Sequence, residues 1–414
     1  MEKGRIRILS QYFYPDVAST GQLLTELSLG LKHNDVSVSV ITAKPSYAGK
    51  LNASKKEIFN SIHIRRVRTT RLNKNTKIGQ VFNSISYFVR SFVYLLLSLD
   101  KTPLLLVSNP PFLPFLGYLI YKLRGIGYII LVHDVFPEKA IKLDYVSQKG
   151  FIVWLWTIID KKSLKKASKI IAISETMKEF LLRKFSKYGF INKDNIIVIH
   201  NWADSNFIKP IEEENNIFIK ENSLNGKFIV QYSGNIGASY ELEILIEAAR
   251  KMQDPQLLFL IIGDGVKKEK LCRMVKEYSL NNVVFIPYQK KSMLPYSLTA
   301  SSVSIVTYEK AMEGMLMPSK LYTTLASGKA VISFCDEESE VGKIIRDAEC
   351  GFAVGHSDLN KLIEKIYFLK SNPEFRCKMG INARKFFEKN FTLDHSLNKY
   401  IQVINEVQIN KMKS

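Results

Sequence analysis

The stretch Met317–Phe334, with the sequence MPSKLYTTLASGKAVISF, predicts a helix followed directly by a buried strand. Pro318 suits the first helical position, where its missing N–H would have no partner, and Gly328 is placed to end the helix. The run Ala330–Phe334 has the length and composition of a fully buried strand. Lys320 is the unexpected residue, because the helix dipole disfavours a cation in the first turn. We therefore expect an anion to bind beside Lys320.

The same alternation of strands and helices runs through all 414 residues. It predicts an α/β protein of two Rossmann-like, doubly wound domains with parallel sheets. We place the amino-terminal domain at residues 1–205 and the carboxyl-terminal domain at 206–389, and expect a last helix at about 390–414 to pack back on the first domain. The polar, acidic stretch 201–227 is interpreted as a linker. Because ligands of such sheets bind at the carboxyl ends of strands, we expect the ligand in a central cleft that the two domains face.

Positive charge is concentrated in the first half of the chain. Residues 1–205 carry 31 Lys and Arg against 14 Asp and Glu, a net charge of +17, whereas residues 206–414 carry 28 against 25, a net charge of +3. This excess indicates an anionic partner or, more simply, solubility through self-repulsion. Segments 86–99 and 150–169 combine basic residues with long apolar faces, which favours an anionic membrane surface over nucleic acid. Each segment alone is also typical of an ordinary core-facing helix.

The chain shows no segment that we expect to span a membrane or to direct secretion. Charged residues and a proline pair interrupt the most apolar region, residues 82–121, so it falls short of the roughly 20 residues of a spanning helix. The first residues lack the apolar core of a secretory signal. The four cysteines lack metal-ligand spacing and indicate reduced thiols. We expect a cytoplasmic protein, peripheral on the inner face of the plasma membrane.

Two stretches of the first half follow predicted strands and carry polar groups. Ser19, Thr20 and Gly21 form a loop that leads into a helix and offers backbone N–H groups to an anion, although serine and threonine are also ordinary helix caps. His133 and Asp134 end a predicted buried strand. A histidine there can orient a substrate hydroxyl or move a proton near neutral pH, or it can be a structural residue bonded to backbone.

The second half contains two glycine turns between a strand and a helix. Gly234, Asn235 and Gly237 allow the close backbone approach that a diphosphate requires. Gly263 and Gly265 form the second turn, which could pass close to a nucleotide base. A plain strand–helix turn with glycine for its geometry is the alternative for the first of them.

The stretch before the opening helix is the most specific part of the sequence. Glu313 and Gly314–Leu316 lead to Ser319 and Lys320. A helix amino terminus stabilises an anion by roughly 0.3–1 kcal/mol, and a lysine–phosphate contact by roughly 1.5–3 kcal/mol. Together these groups could hold a diphosphate without a metal, unless the Lys320 side chain simply extends into solvent.

The order of these blocks resembles the GT-B glycosyltransferases of family 4, over essentially the whole chain. The blocks that carry the resemblance are YFYPD, ASKIIAIS, HNWAD, SGNIG, GDG, PSKLY, LASGKAVI, GFAV and FFEKNFT. The chain looks like the subgroup that builds capsule, O-antigen or exopolysaccharide repeat units on a lipid carrier. The resemblance implies retaining transfer of a hexosyl or N-acetylhexosaminyl group from a nucleotide diphosphate sugar to a lipid-linked saccharide, with no metal and no cofactor. UDP is the expected nucleotide by family habit alone.

The resemblance gives roles to the residues singled out above. The expected catalytic residues are His133, Glu313 and Lys320, and the expected acceptor-side residues are Asp16 and Asp134. The expected donor-binding residues are Thr20, Gly21, Gly234, Asn235, Gly237, Gly263, Gly265, Gly314, Met315, Leu316, Pro318, Ser319 and Thr323.

The chain also departs from the family pattern. Many members carry two glutamates eight residues apart, where this chain has Met315 and Thr323. Many also carry an arginine and a lysine at the places of Asn235 and approximately Ser239. Our hypothesis is that Lys320 supplies the missing cation for the diphosphate.

Three other functions fit parts of the sequence. A GT-B sugar-nucleotide epimerase would share the donor site but would not need a basic first half. A nucleic-acid-binding protein would use the positive charge, although no RNA-binding signature or zinc spacing is present. The missing glutamates also permit a catalytically inactive scaffold.

Overall fold

The computed structural model describes residues 4–412 except 17, 46–52, 71, 73–75 and 191–192. The chain divides into two compact units. The amino unit comprises Met1–Asn201, Gly314–Met317 and Leu393–Ser414. The carboxyl unit comprises Trp202–Glu313 and Pro318–Thr392.

The amino unit is built on one eight-stranded sheet. Its strands are β1 (Gly4–Leu9), β2 (Val36–Ala43), β3 (Lys56–Phe59), β4 (Ile62–Val67), β5 (Leu104–Val107), β6 (Tyr128–Val132), β7 (Lys169–Ala172) and β8 (Ile196–Val198). Their spatial order is β3-β4-β2-β1-β5-β6-β7-β8, parallel except that β3 runs antiparallel to β4. The chain reverses its direction across the sheet between β1 and β5, so the loop after β1 lies at the switch point where such sheets bind ligands.

Helices cover both faces of this sheet. They are α1 (Ser19–His33), α2 (Lys77–Leu97), α3 (Leu113–Arg124), α4 (Glu138–Lys142), α5 (Phe151–Lys166) and α6 (Glu175–Lys187), with α15 (Leu393–Met412) from the end of the chain. Right-handed crossovers place α1 on one face and α2, α3 and α5 on the other. The last helix, α15, packs closely on α1, where a Cβ on Gly30 would lie 3.1 Å from the Leu397 side chain.

The carboxyl unit has a six-stranded, fully parallel sheet. Its strands are β9 (Phe228–Ser233), β10 (Leu257–Ile262), β11 (Val283–Ile286), β12 (Val303–Thr307), β13 (Ala330–Phe334) and β14 (Gly351–Val354). Their order is β11-β10-β9-β12-β13-β14, the doubly wound order of a Rossmann fold. Its helices are α7 (Ile217–Glu221), α8 (Glu243–Lys251), α9 (Lys268–Glu277), α10 (Leu294–Thr299), α11 (Lys320–Ala326), α12 (Glu340–Asp347), α13 (Leu359–Ser371) and α14 (Pro373–Asn390). Two doubly wound α/β units confirm the predicted fold class.

Several local predictions were wrong in detail. The helix α11 begins at Lys320 rather than at Pro318, whose carbonyl accepts the Leu321 N–H at 3.0 Å in a single preceding turn. In the first half, Ser19–Gly21 is the first turn of α1 rather than a loop, since the carbonyl of Ala18 already accepts the Gln22 N–H.

The stretch interpreted as a linker is partly core. It contains α7, whose Phe218 and Ile219 are buried beside Ile229 of β9 and Leu260 of β10. The chain therefore enters the carboxyl unit at about Trp202 and packs against its sheet before β9 begins.

The cysteines and the membrane expectation can be compared with the structure. All four cysteines are free thiols, as expected. Within the described residues, no helix combines the length and the apolar character needed to cross a bilayer.

Candidate functional site

The turn after β9 and the lysine that opens α11 meet at the carboxyl edge of the sheet. Gly234 has φ of +136°, and a Cβ placed on it would lie 2.3 Å from Cε of Lys320. Only glycine permits both that backbone conformation and that approach. The turn and the lysine, predicted separately from the sequence, therefore form one site at the switch point between β9 and β12.

The second glycine turn interlocks with the first. The Gly234 N–H donates to the carbonyl of Ile262 at 2.8 Å, and the Ile236 N–H donates to the carbonyl of Asp264 at 2.9 Å. A Cβ on Gly263 would lie 2.0 Å from the Gly234 carbonyl oxygen, and one on Gly265 would lie 2.4 Å from the Ile236 oxygen. The absence of side chains lets the two turns pack backbone against backbone, and the predicted closeness of Gly263 and Gly265 to a nucleotide base stays a prediction.

Lys320 lies over two aromatic rings. Its Nζ is 3.8 Å from the centroid of Tyr240 and 5.1 Å from that of Tyr232. Among the described residues, no carboxylate lies within ion-pair distance of this ammonium group. Burial lowers the pKa of Lys320 to about 7. The site thus holds a desolvated amine whose positive charge an anion would stabilise.

A second lysine, Lys267, holds the surrounding loops together. Its Nζ donates to the carbonyl of Tyr240 at 2.7 Å, to Glu243 at 3.1 Å and to Glu309 at 2.6 Å. Although burial works to lower the pKa of Lys267, the hydrogen bonds and charges of Glu309 and Glu243 hold it above its ordinary value. Sequence reasoning missed this residue, since nothing local distinguishes it from neighbouring lysines.

Glu313 is close to a second carboxyl group. Burial is the main cause that raises the pKa of Glu313, followed by the charge of Asp336, with which it also shares a hydrogen bond. Asp336 follows β13 and was not predicted. Glu313 and Asp336 therefore lie together at the carboxyl edge of the sheet.

A carboxylate–histidine pair next to this group was also missed. Glu241 accepts the Nδ1 hydrogen of His356 at 2.8 Å, the Ser357 N–H at 2.8 Å and the Ser357 hydroxyl at 3.0 Å. Burial works to raise the pKa of Glu241, but the hydrogen bonds from His356 and Ser357 outweigh it and lower that pKa. The ionised Glu241 carboxylate can only accept a hydrogen bond, so it favours the His356 tautomer that carries its hydrogen on Nδ1.

The remaining predicted donor residues fall into two groups. Thr323 donates its hydroxyl to the Lys320 carbonyl at 3.0 Å, one turn along α11. The segment Gly314–Met317 belongs instead to the amino unit, where the Met315 carbonyl accepts the Val135 N–H at 3.0 Å. Asn235, Gly237, Pro318 and Ser319 flank the turn and the start of α11 in the carboxyl unit. The binding roles of all these residues stay predictions.

In the amino unit, two predicted residues come together. The Thr20 hydroxyl lies 3.4 Å from Nδ1 of His133. The Ser108 hydroxyl accepts the backbone N–H of both His133 and Asp134, at 3.0 and 3.1 Å, which fixes the turn after β6. Burial lowers the pKa of His133 to about 4. The imidazole is therefore neutral at physiological pH and can orient a hydroxyl rather than supply a proton.

The two acidic residues predicted on the acceptor side lie in different surroundings. Asp134 pairs with Lys139 at 2.7 Å and lies in an isolated antiparallel bridge with Leu316. Asp16 is buried in the loop after β1, with its N–H donating to the Phe13 carbonyl at 2.9 Å. Gly21 lies against the same loop, since a Cβ placed on it would lie 3.4 Å from the backbone carbonyl oxygen of Asp16.

Comparison with known families gives two matches that together span most of the chain. Residues 20–207 match the model described as Glycosyltransferase Family 4. Residues 213–386 match the model described as Glycosyl transferases group 1.

Individual relatives are distant. The chain is 25% identical over 304 residues to a probable glycosyltransferase, WbjE, of Pseudomonas aeruginosa, covering 71% of this chain and 72% of the relative. It is 26% identical over 234 residues to a putative colanic acid biosynthesis glycosyl transferase, WcaI, of Escherichia coli, covering 55% of each.

Solved structures show the same fold. A sucrose-phosphate synthase from Thermosynechococcus elongatus superposes with a TM-score of 0.79 at 16% identity, covering 98% of this chain and 100% of the other. Anabaena HepE in complex with UDP-glucose gives a TM-score of 0.72 at 15% identity, covering 96% and 98%.

Proposed function

The chain belongs to the GT-B glycosyltransferases of family 4, and from that premise we propose that it transfers a sugar from a UDP-sugar, with retention at the anomeric carbon, to a lipid-linked saccharide. Relatives named for colanic acid and capsular polysaccharide biosynthesis support a saccharide acceptor. The group transferred is a hexosyl or N-acetylhexosaminyl residue. A UDP-sugar is supported by the fold shared with HepE, which has been solved with UDP-glucose.

The observation that carries the proposal is the unpaired ammonium group of Lys320 against the Gly234 turn. A diphosphate needs a cation and close backbone approach. Here the amine lies over the rings of Tyr240 and Tyr232, and the lack of a side chain on Gly234 lets the lysine stem lie directly against the turn. These features support a diphosphate-binding role for the turn and the lysine.

Transfer generates negative charge on the departing UDP. A hydrogen-bond donor that is already positioned at the leaving oxygen lowers the barrier to transfer, because it acts where charge develops and needs no reorganisation. We assign this role to Lys320, which the bound diphosphate keeps protonated. The departing diphosphate then accepts the proton of the acceptor hydroxyl on the same face of the sugar, so that one glycosidic bond forms as the bond to UDP breaks.

Other residues position the reacting groups. Neutral His133, with Thr20 beside it, orients a hydroxyl of the transferred sugar. Glu313 holds sugar hydroxyls, whose hydrogen bonds its carboxyl oxygens can accept. The proposed mechanism uses no metal, so activity should persist in excess EDTA.

We also propose a lipid-linked acceptor presented at a membrane. The net charge of +17 on residues 1–205 supports contact between the amino unit and anionic lipid. The proposed location is the inner face of the plasma membrane, with the protein peripheral.

Thermal-shift measurements with UDP-, GDP- and dTDP-sugars test the donor. The expected result is a rise in melting temperature with UDP-sugars, absent in Lys320→Ala although that variant folds. Equal shifts with all three nucleotides would contradict UDP, and an unchanged shift and turnover in Lys320→Ala would remove Lys320 from the mechanism. Donor consumed to an epimer without acceptor would replace transfer by epimerisation.

A further inference from the structure

The helix α2 carries an apolar stripe on its exposed side. Its buried side, with Tyr87 and Leu95, packs inward. The stripe recurs every three or four residues, which places its members along one face of the helix. Its members, between 40% and 69% exposed, are Ile78, Phe82, Ile85, Val89, Val93 and Leu96. The stripe is about 27 Å long at 1.5 Å per residue.

This arrangement is unusual for a helix on a globular protein. A helix that covers a sheet normally turns charged and polar residues outward. All six positions of the stripe are apolar, although α2 already buries another face. Contiguous exposed apolar surface of this size marks an interaction site.

The beginning of α5 adds a second exposed apolar group. Phe151, Ile152, Trp154 and Leu155 are between 43% and 72% exposed. The second half of the same helix is basic and exposed, with Lys161, Lys162, Lys165 and Lys166. The apolar and cationic parts of α5 thus follow each other along one helix.

The helices α2 and α5 lie on the same face of the sheet. Right-handed crossovers put α2, α3 and α5 in one layer, and α3 contacts both of the others. Phe88 of α2 stacks with Phe115 of α3, and Phe112 at the start of α3 lies 4.6 Å from Trp156 of α5. The exposed sides of α2 and α5 therefore both belong to the outside of one helix layer.

We propose that the α2 stripe and the four apolar residues at the start of α5, together called the docking face, enter the interfacial region of an anionic lipid bilayer. This inference rests on the proposed membrane partner and names the surface that makes the contact. Aromatic and aliphatic groups enter the headgroup–acyl boundary while lysines meet anionic headgroups. A second copy of the chain is the weaker occupant, since two molecules of net charge +20 repel each other.

The tryptophans supply a reporter within the docking face. Trp154 is 58% exposed, whereas Trp156 and Trp202 are 7% and 3% exposed. Adding vesicles of phosphatidylcholine with phosphatidylglycerol to the full-length protein should shift the tryptophan emission to shorter wavelength. Brominated lipids should quench it. Both effects should disappear in Trp154→Phe, whose buried tryptophans remain.

Two paired variants test the two kinds of contact. Ile85→Ser with Val89→Ser should weaken vesicle binding about tenfold or more, because two half-exposed apolar side chains lose their burial in lipid. Lys161→Gln with Lys162→Gln should weaken binding about fivefold per lysine, only on vesicles that contain phosphatidylglycerol. Ile381→Ser is the matched control, since Ile381 is 51% exposed on α14 of the carboxyl unit. Its vesicle binding and the melting temperatures of all variants should remain unchanged.

Three outcomes would overturn the inference. The first is tryptophan emission that does not change when anionic vesicles are added. The second is vesicle binding by the Ile85→Ser, Val89→Ser variant that equals binding by the natural chain. The third is dimerisation without lipid that this variant abolishes, which would make the docking face a contact between copies. Sedimentation equilibrium measures the last. If vesicle binding persists while no UDP-sugar is bound or consumed, the donor proposal alone fails.

Discussion

Replacing Lys320 by methionine should remove a pH dependence of nucleotide binding that the natural chain shows. Methionine keeps the unbranched stem that packs on Gly234 and on the ring of Tyr240. It removes only the amine. Any difference between the two proteins therefore reports on the charge of Lys320.

The size of the effect follows from the pKa of that amine. Burial lowers the pKa of Lys320 to about 7 in the free protein, and a bound diphosphate returns it towards the ordinary lysine value by favouring the charged form. Binding then takes up a proton above neutral pH. The dissociation constant of UDP should rise about fiftyfold between about pH 7 and about pH 9, or roughly 2 kcal/mol.

The free protein should show the opposite trend in stability. The folded-state pKa of Lys320 lies below its unfolded value, so between them the unfolded chain binds more protons. The free energy of unfolding should therefore rise with pH above about 7, by at most about 1.4 kcal/mol per pH unit from this residue. Below about pH 7 both states are protonated and the full cost of the buried charge is present.

Isothermal titration calorimetry with UDP at several pH values measures how the affinity changes with pH. Urea unfolding at the same pH values measures how the free energy of unfolding changes. In Lys320→Met, the pH-dependent part of both should vanish, and binding near pH 7 should be weaker. A UDP affinity that is flat with pH in the natural chain would refute the reasoning. Equal slopes in the two proteins would assign the titration to another group.

Three further predictions concern other residues. Gly234→Ala should weaken UDP binding at least tenfold, because the added Cβ displaces the Lys320 amine. The control is Gly226→Ala, at a φ of +69° with open space around it. It should lower the free energy of unfolding by about 1 kcal/mol and leave UDP binding unchanged. Lys267→Met should lower the free energy of unfolding by about 1–3 kcal/mol, because Glu309 loses its ion pair, Glu243 loses one of two, and the Tyr240 carbonyl loses a donor. The matched Lys270→Met, which removes only the more exposed ion pair of Glu243, should cost under about 0.5 kcal/mol. Equal losses in urea unfolding would contradict this. Because burial lowers the pKa of His133 to about 4, His133→Asn should reduce kcat without changing the shape of the pH–rate profile between about pH 5 and 8, and a lost limb near pH 6.5 would show that this histidine titrates.

The sequence predicted strands well where apolar runs are continuous and bounded. The bounds of β13 agree with the predicted run Ala330–Phe334, and Gly328, with φ of +66°, ends α11 as expected. The edge strand β3 was missed because its four residues alternate between exposed and half-buried and form no apolar run. The short helix α7 was missed because five residues are too few to show a helical period.

The candidate site, too, could be predicted from the sequence only in part. Gly234, Gly263 and Lys320 could be singled out because each follows a strand or opens a helix, and parallel strands bring their carboxyl ends to one edge. The contacts of Lys267 with Glu309 and of Glu241 with His356 join residues 42 and 115 positions apart. No local pattern records such pairs, since only the assembled sheet places their loops side by side.

The two lysines of the carboxyl edge show why one of them suits ligand binding. Lys267 has its charge satisfied by Glu243 and Glu309, so its bonds already hold the loops and an anion would have to compete with two carboxylates. Within the part of the chain that the structure describes, Lys320 faces only the weak attraction of two tyrosine rings, worth about 0.5–2 kcal/mol, which leaves its burial uncompensated. A diphosphate can contact the Lys320 amine without breaking an ion pair. Its negative charge also offsets the free-energy cost of burying that amine, a cost already present in the free protein. The difference in partners, rather than the difference in position, is therefore what makes Lys320 the residue through which binding and protonation are coupled.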